Sequence, residues 1–166
     1  MPRRNDASSS KQKLVIVVAV GVIAVIIGVN AIFITQPSSN ERYVIQLQEI
    51  SDQSKTITQN YEDSIGKWND GLIDNSEMLQ ITDNNLEQLQ SLLSRLKALE
   101  PPEKFREGHE MNILSLEYEL QSNKHMRNYV ETGDQVEYEK SIELFQLAFN
   151  YESEAFAAFA KANKNT

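Results

Sequence analysis

The chain has 166 residues, no cysteine and a net charge of −8, which excludes disulfides, thiolate metal sites and cysteine nucleophiles together and suits one modest domain plus an anchor. The charge is divided unevenly. Arg3, Arg4, Lys11 and Lys13 against Asp6 make residues 1–13 basic, and the chain from Gln36 onward carries the whole acidic excess. An acidic surface of that kind repels phosphate backbones, so nucleic acid is not an expected partner.

Leu14 to Thr35 holds no charge, and Asn30 and Thr35 are its only polar residues. At about 1.5 Å per residue this run is roughly 33 Å long, enough to cross the hydrocarbon core, and it predicts a transmembrane helix over 14–35. The alternative is a cleaved signal peptide, but such peptides have apolar cores of roughly 7–15 residues before an A-x-A-like site. Val29-Asn30-Ala31 matches that site poorly. Basic residues before the span place the N-terminus in the cytoplasm, so the expected location is the cell membrane with the folded part outside. Gly21, Ala24, Gly28 and Ala31 share one face of the predicted helix, with Asn30 alongside. Small residues at that spacing let another membrane helix approach closely, and an Asn in lipid favours a hydrogen-bonding partner.

Gln36 to Asn40 is a short polar break containing Pro37. Beyond it the apolar residues recur at three-four spacing, which predicts helices over about 41–70, 75–99, 102–131 and 135–162. The expected core stripes run through Leu47, Ile50, Ser54, Ile57, Tyr61, Ile65, Trp68 and Leu72, then Leu79, Thr82, Leu86, Leu89, Leu93, Leu96 and Leu99. They continue through Phe105, His109, Ile113, Leu116, Leu120, Met126 and Val130, and finally Ile142, Phe145, Phe149, Phe156 and Phe159. No alternating strand pattern survives beyond a few residues. Short breaks at Asp70-Gly71, Pro101-Pro102 and Gly133-Asp134 join antiparallel neighbours. The expected fold is all-α: one N-terminal transmembrane helix followed by an antiparallel four-helix bundle. A three-helix bundle, with the first outer helix continuing the anchor as a stalk, is the structural alternative.

If that first helix rises from the membrane, the Gly71 and Gly133 turns lie at the distal tip. The Pro101-Pro102 turn and the C-terminus then return toward the lipid, bringing Phe156, Phe159, Lys161 and Lys164 near the headgroups.

Trp68 to Glu77, WNDGLIDNSE, resembles half of an EF-hand loop. With Gly71 at loop position 6, Asp70, Asp74 and Glu77 fall at 5, 9 and 12, but positions 1 and 3 fall on Gly66 and Trp68, which offer no carboxylate. Helix punctuation explains the same residues: Gly71 ends one helix, and Asp74 with Glu77 forms a capping box for the next. Ser38 with Glu41 and Asp134 with Glu137 repeat the pattern. The Glu-x-x-His pairs of di-iron bundles, H-E-x-x-H, G-x-S-x-G, Walker A and dinucleotide fingerprints are all missing, so neither enzyme, metal nor cofactor is expected. Phe105 and His109, one turn apart beside the double proline, are the remaining candidates, either facing a ligand or building a structural turn.

Leu96-Lys97-Ala98-Leu99-Glu100-Pro101-Pro102-Glu103-Lys104-Phe105 with His109, followed by Thr132-Gly133-Asp134, resembles uncharacterised membrane-anchored helical proteins of archaea and Gram-positive bacteria. These share an L-x-x-L-x-P-P…F…H turn between two bundle helices, and the resemblance implies the bundle without an activity. The expected function is therefore binding. The first expectation is an accessory or stabilising subunit of a larger membrane complex, with other membrane subunits or a second copy as partner and lipid around the span. The second is a solute-binding or sensing ectodomain that acts through a cytoplasmic partner.

Overall fold

The computed structural model describes residues 38–164; the predicted span over 14–35, with Gly21, Ala24, Gly28, Asn30 and Ala31, lies outside them. The described chain is all-α, with four long helices: α1 (Ser39–Asn69), α2 (Asn75–Lys97), α3 (Arg106–Thr132) and α4 (Gln135–Lys164), with a single 3-10 turn at Glu103–Phe105 before α3. None of these helices is long and apolar enough to cross a membrane.

Local chemistry sets the boundaries. Ser38 and Glu41 form a complete capping box at the start of α1. At the far end of α1, Leu72 N–H donates to Lys67 O and Gly71 N–H to Trp68 O. With Gly71 at φ 71°, this is the two-bond Schellman closure, which satisfies the orphan carbonyls and needs a left-handed residue. Asp74 then caps α2, its side chain accepting from Glu77 N–H at 2.9 Å. The return bond expected from Glu77 is not formed. At α4 the expected box is replaced altogether. Asp134 accepts from Val136 N–H at 2.9 Å, while Glu137 is drawn across to α3, where it meets His125 Nδ1 at 2.7 Å and Asn128 Nδ2 at 3.0 Å. Leu72, expected to continue the apolar stripe of α1, instead sits in the turn and is 73% exposed.

Cross-helix bonds fix the antiparallel register. Tyr61 meets Thr82 and Arg95 meets Gln53 between α1 and α2; Asn123 meets Asn85 and Arg127 meets Asp83 between α2 and α3. The α3–α4 pair is the closest, for a reason legible in the residues. Gly108, Ser115 and Ser122 on α3, and Ser141, Ala148 and Ala155 on α4, each recur every seventh residue and so stay on one helix face. Running antiparallel, they meet. Ser115 Oγ donates to Ala148 O at 2.9 Å and Ser122 Oγ to Ser141 O at 2.8 Å, side chain to neighbouring backbone, and Phe159 lies against Gly108.

This seam corrects the expected face of α4. Of the expected stripe only Phe159 reaches the core, beside buried Ser141, Ala148 and Ala155; Phe145 and Phe149 are half-buried, and Ile142 and Phe156 are exposed. Small residues win the contact with α3 because they let the backbones approach, and the larger rings are turned aside. Similarly on α2, Met78, Asn85 and Leu92 are buried whereas Leu79 and Leu86 are only half-buried, as is Leu99 just beyond the helix end.

The core is in two parts. Tyr43, Leu47, Ile50, Leu89, Leu93, Leu96, Phe105, Leu116 and Phe159 belong to the larger cluster, near the end where the chain enters at Ser38. Tyr61, Met78, Met126 and Val130 form a smaller one at the opposite end. Between them lies a belt of buried polar side chains: Thr82, Asn85, Glu119, Ser122, Asn123 and Ser141.

Candidate functional site: an acidic cleft between the first and last helices

No Cα atom of α1 comes within 8 Å of one in α4. The fourth side of the bundle is thus left open, and a cleft of about 100 Å³ runs along it. From α1 it is lined by Leu47, Ile50, Ser51, Asp52, Ser54, Lys55, Thr58 and Glu62; from α3 by Asn112, Ser115, Leu116 and Glu119; and from α4 by Phe145, Ala148, Phe149 and Glu152, with Leu96 of α2 below. The composition follows from the α3–α4 seam. With Ala148 turned to α3, Phe145 and Phe149 are directed along the open side, and α1 answers them with Ser54, Lys55, Thr58 and Glu62 alongside Leu47 and Ile50.

Glu119 is the deepest ionisable group in the cleft, only 7% exposed. Burial raises its carboxyl to about 7, the Thr58 hydrogen bond opposes the rise, and Glu152 and Glu62 add repulsion. Burial also raises Glu62, with help from Asp63, and it raises Glu152.

Proton counting at Thr58 agrees. Its single hydroxyl proton faces both Ser54 O at 3.0 Å and Glu119 Oε1 at 2.7 Å. A protonated Glu119 resolves the conflict by donating to Thr58, which then donates to Ser54 O. Glu62 Oε1 is buried with no hydrogen-bond partner. No group of three or more His, Asp or Glu among the described residues is arranged to hold a metal ion.

Phe105 and His109 lie elsewhere, in the larger core cluster. His109 Nδ1 meets the Tyr43 hydroxyl at 3.2 Å, and Phe105 stacks on Tyr43 at 5.7 Å and on Phe159 edge-on at 5.9 Å. Burial lowers the His109 pKa, against the pull of Glu110. A tyrosine hydroxyl is thus its partner, rather than a carboxylate. Trp68, at the far end, donates to Asn75 Oδ1 at 2.8 Å and packs edge-on against Tyr129, tying the α1–α2 turn to α3. Asp70, Asp74 and Glu77 serve only as turn and cap.

Sequence reasoning did not single out Glu119, Glu62 or Glu152. Glutamates on helices read as a solvated face, and the signal that could have found Glu119 is its position between Leu116 and Leu120, on the apolar stripe. No family model matches this chain, and no curated protein or solved structure matches it either. Its class is defined by fold and cleft: an all-α helical bundle with an acidic, aromatic-lined opening.

Proposed function

We propose that this chain is a non-enzymatic, single-pass membrane protein whose external helical bundle binds a small solute in the α1/α4 cleft. The observation that carries the reading is the open fourth side itself. Burying Glu119 beside two further carboxylates works against stability, and a binding site gives that arrangement a use. The apolar run at 14–35 and the basic residues before it support the anchor and its orientation, as does the resemblance carried by the Pro101-Pro102 turn.

Thermal unfolding of the full chain in non-ionic detergent micelles, against a panel of amines, amino acids, sugars, organic acids and metal salts, tests this. A bound solute raises Tm in proportion to the logarithm of its concentration above Kd. Ser54→Phe, which fills the cleft, should abolish the rise. A panel without any effect on the native chain refutes the reading.

The accessory-subunit reading draws on different features: the small-residue face at Gly21, Ala24, Gly28 and Ala31, and the exposed Leu72 and Val136 at the far end of the bundle. On that reading Gly28→Ile weakens co-purification with a membrane partner under mild detergent. A chain that migrates alone, with or without the substitution, counts against it.

A further inference from the structure

We propose that the solute is a small organic ammonium ion, its charge held among Glu62, Glu119 and Glu152 and its apolar part against Leu116, Phe145 and Phe149. The inference rests on reading the cleft as a solute site, and it names the chemistry that such a site selects.

Sign of charge comes first. The ionisable groups that line the cleft are Asp52, Lys55 and Glu62 from α1, Glu119 from α3 and Glu152 from α4; Leu96, the α2 contribution, is apolar. Lys55 makes no ion pair with any of the carboxylates, so the negative charge is not compensated internally. An anionic solute would meet repulsion and a neutral one would leave the carboxylates unpaired.

Two independent observations point to a ligand beyond the acidity. Glu119 is nine-tenths buried, and its sole hydrogen bond is the one to Thr58 through Oε1, which leaves Oε2 unengaged. Glu62 Oε1 is buried and unpartnered. An ammonium N–H donor fits such acceptors.

The walls then separate organic from inorganic cations. Hard metal ions take six or more oxygen ligands in a compact shell, whereas here no such shell forms among the described residues and two aromatic rings, three leucines and an isoleucine line the space. Aromatic faces attract alkylammonium groups and accept their carbon. A cleft of about 100 Å³ is small beside pockets for drug-sized ligands, roughly 300–1,000 Å³, so a ligand of only a few carbons fits.

Binding is coupled to proton release. The protonated Glu119 must ionise to pair with the cation, so affinity rises with pH as the carboxylates of Glu62, Glu119 and Glu152, all raised by burial, lose their protons; Asp52 and Lys55 are the other ionisable groups facing the cleft.

The test is isothermal titration of the full chain in non-ionic detergent micelles with n-butylammonium chloride. Sodium chloride, n-butanol, sodium butyrate and calcium chloride are titrated in parallel. Saturable binding of butylammonium is expected, stronger at pH 8 than at pH 5.5, and weakened roughly tenfold or more by Glu119→Gln, as for loss of a desolvated charge partner. Glu152→Gln and Phe149→Leu should each weaken it in chains whose helical content is unchanged, while exposed Glu87→Gln should not. Equal binding of butanol, or binding of calcium or butyrate in place of butylammonium, overturns the ammonium assignment and leaves a cleft that binds something else. Butylammonium affinity unchanged by both Glu119→Gln and Glu152→Gln moves the site elsewhere and overturns it too. Silence from every titrant overturns this inference, and a silent thermal panel as well would remove the cleft reading beneath it.

Discussion

Glu119 and Thr58 show how a single proton can organise a site. The Thr58 hydroxyl has two acceptors in reach and one proton to give, and the carboxyl it faces is buried and pushed up to about 7. Because the folded-state pKa lies above the unfolded value of 4.5, the folded chain binds the extra proton between those limits, and stability falls as pH rises from about 4.5 to about 7. Glu119→Gln keeps a hydrogen-bonding partner for Thr58 and removes the charge. It should raise stability by roughly 2–3 kcal/mol at pH 8 and change it little below pH 4.5, measured by urea unfolding at the two pH values. The neighbouring Asn123–Asn85 pair behaves differently, because neither side chain ionises. Asn123 Nδ2 donates to Asn85 Oδ1 at 2.8 Å, and Asn85 Nδ2 is itself unpartnered. Asn123→Leu strands a second buried polar atom and should cost about 1–3 kcal/mol, whereas Asn123→Leu with Asn85→Leu should recover most of that loss. Neither pair was legible in the sequence. Thr58 and Glu119 are 61 positions apart, Asn85 and Asn123 38, and only tertiary packing brings them together.

At the level of the element, the α3–α4 seam decides where the other helix faces go. Heptad-spaced Gly108, Ser115 and Ser122 meet heptad-spaced Ser141, Ala148 and Ala155, and that contact rotates Phe145, Phe149 and Phe156 away from it while Phe159 packs on Gly108. Ala148→Leu forces the pair apart and breaks the Ser115 hydrogen bond. Overpacking of that kind should cost about 1–3 kcal/mol, visible as a lower urea midpoint. The capping residues are more local in effect. Asp74→Ala removes the acceptor for Glu77 N–H and should cost about 1 kcal/mol, equally with calcium and with chelator. The number and order of the described helices were readable from periodicity and punctuation, because three-four spacing and Gly, Pro and Asp breaks are local signals; the 3-10 turn that delays α3 to Arg106 was not. Nor was the facing of α4. Large rings at helical spacing look like core by hydrophobicity alone, whereas close helix approach selects small residues, and the serines and alanines that carry it leave no hydrophobic signal. Phe105 and His109 were legible as a pair on the apolar face. Their partners, Tyr43 and Phe159, come from opposite ends of the described chain, beyond the reach of a local reading.

For the molecule as a whole, the consequence is that its described helices form a bundle closed on three sides and open on the fourth. A polar belt separates the two core clusters, and the cleft opens beside it, at Thr58, Glu62 and Glu119. On the proposed reading, the open side gives a solute access to the carboxylates and aromatic rings while the hydrogen-bonded α3–α4 pair holds the rest in place. The proposed membrane anchor would enter at Ser38, at the same end as the Pro101-Pro102 turn, leaving the cleft accessible along the side of the molecule. Difference infrared spectroscopy of the full chain at pH 6, with Glu119→Gln as the reference, tests this account most directly, because it observes the buried carboxyl itself. The account predicts a protonated carboxyl band that belongs to Glu119 and is converted to carboxylate when butylammonium is added but not when sodium is added. A Glu119 that is already ionised at pH 6, or one whose band ignores butylammonium at saturating concentration, would contradict it.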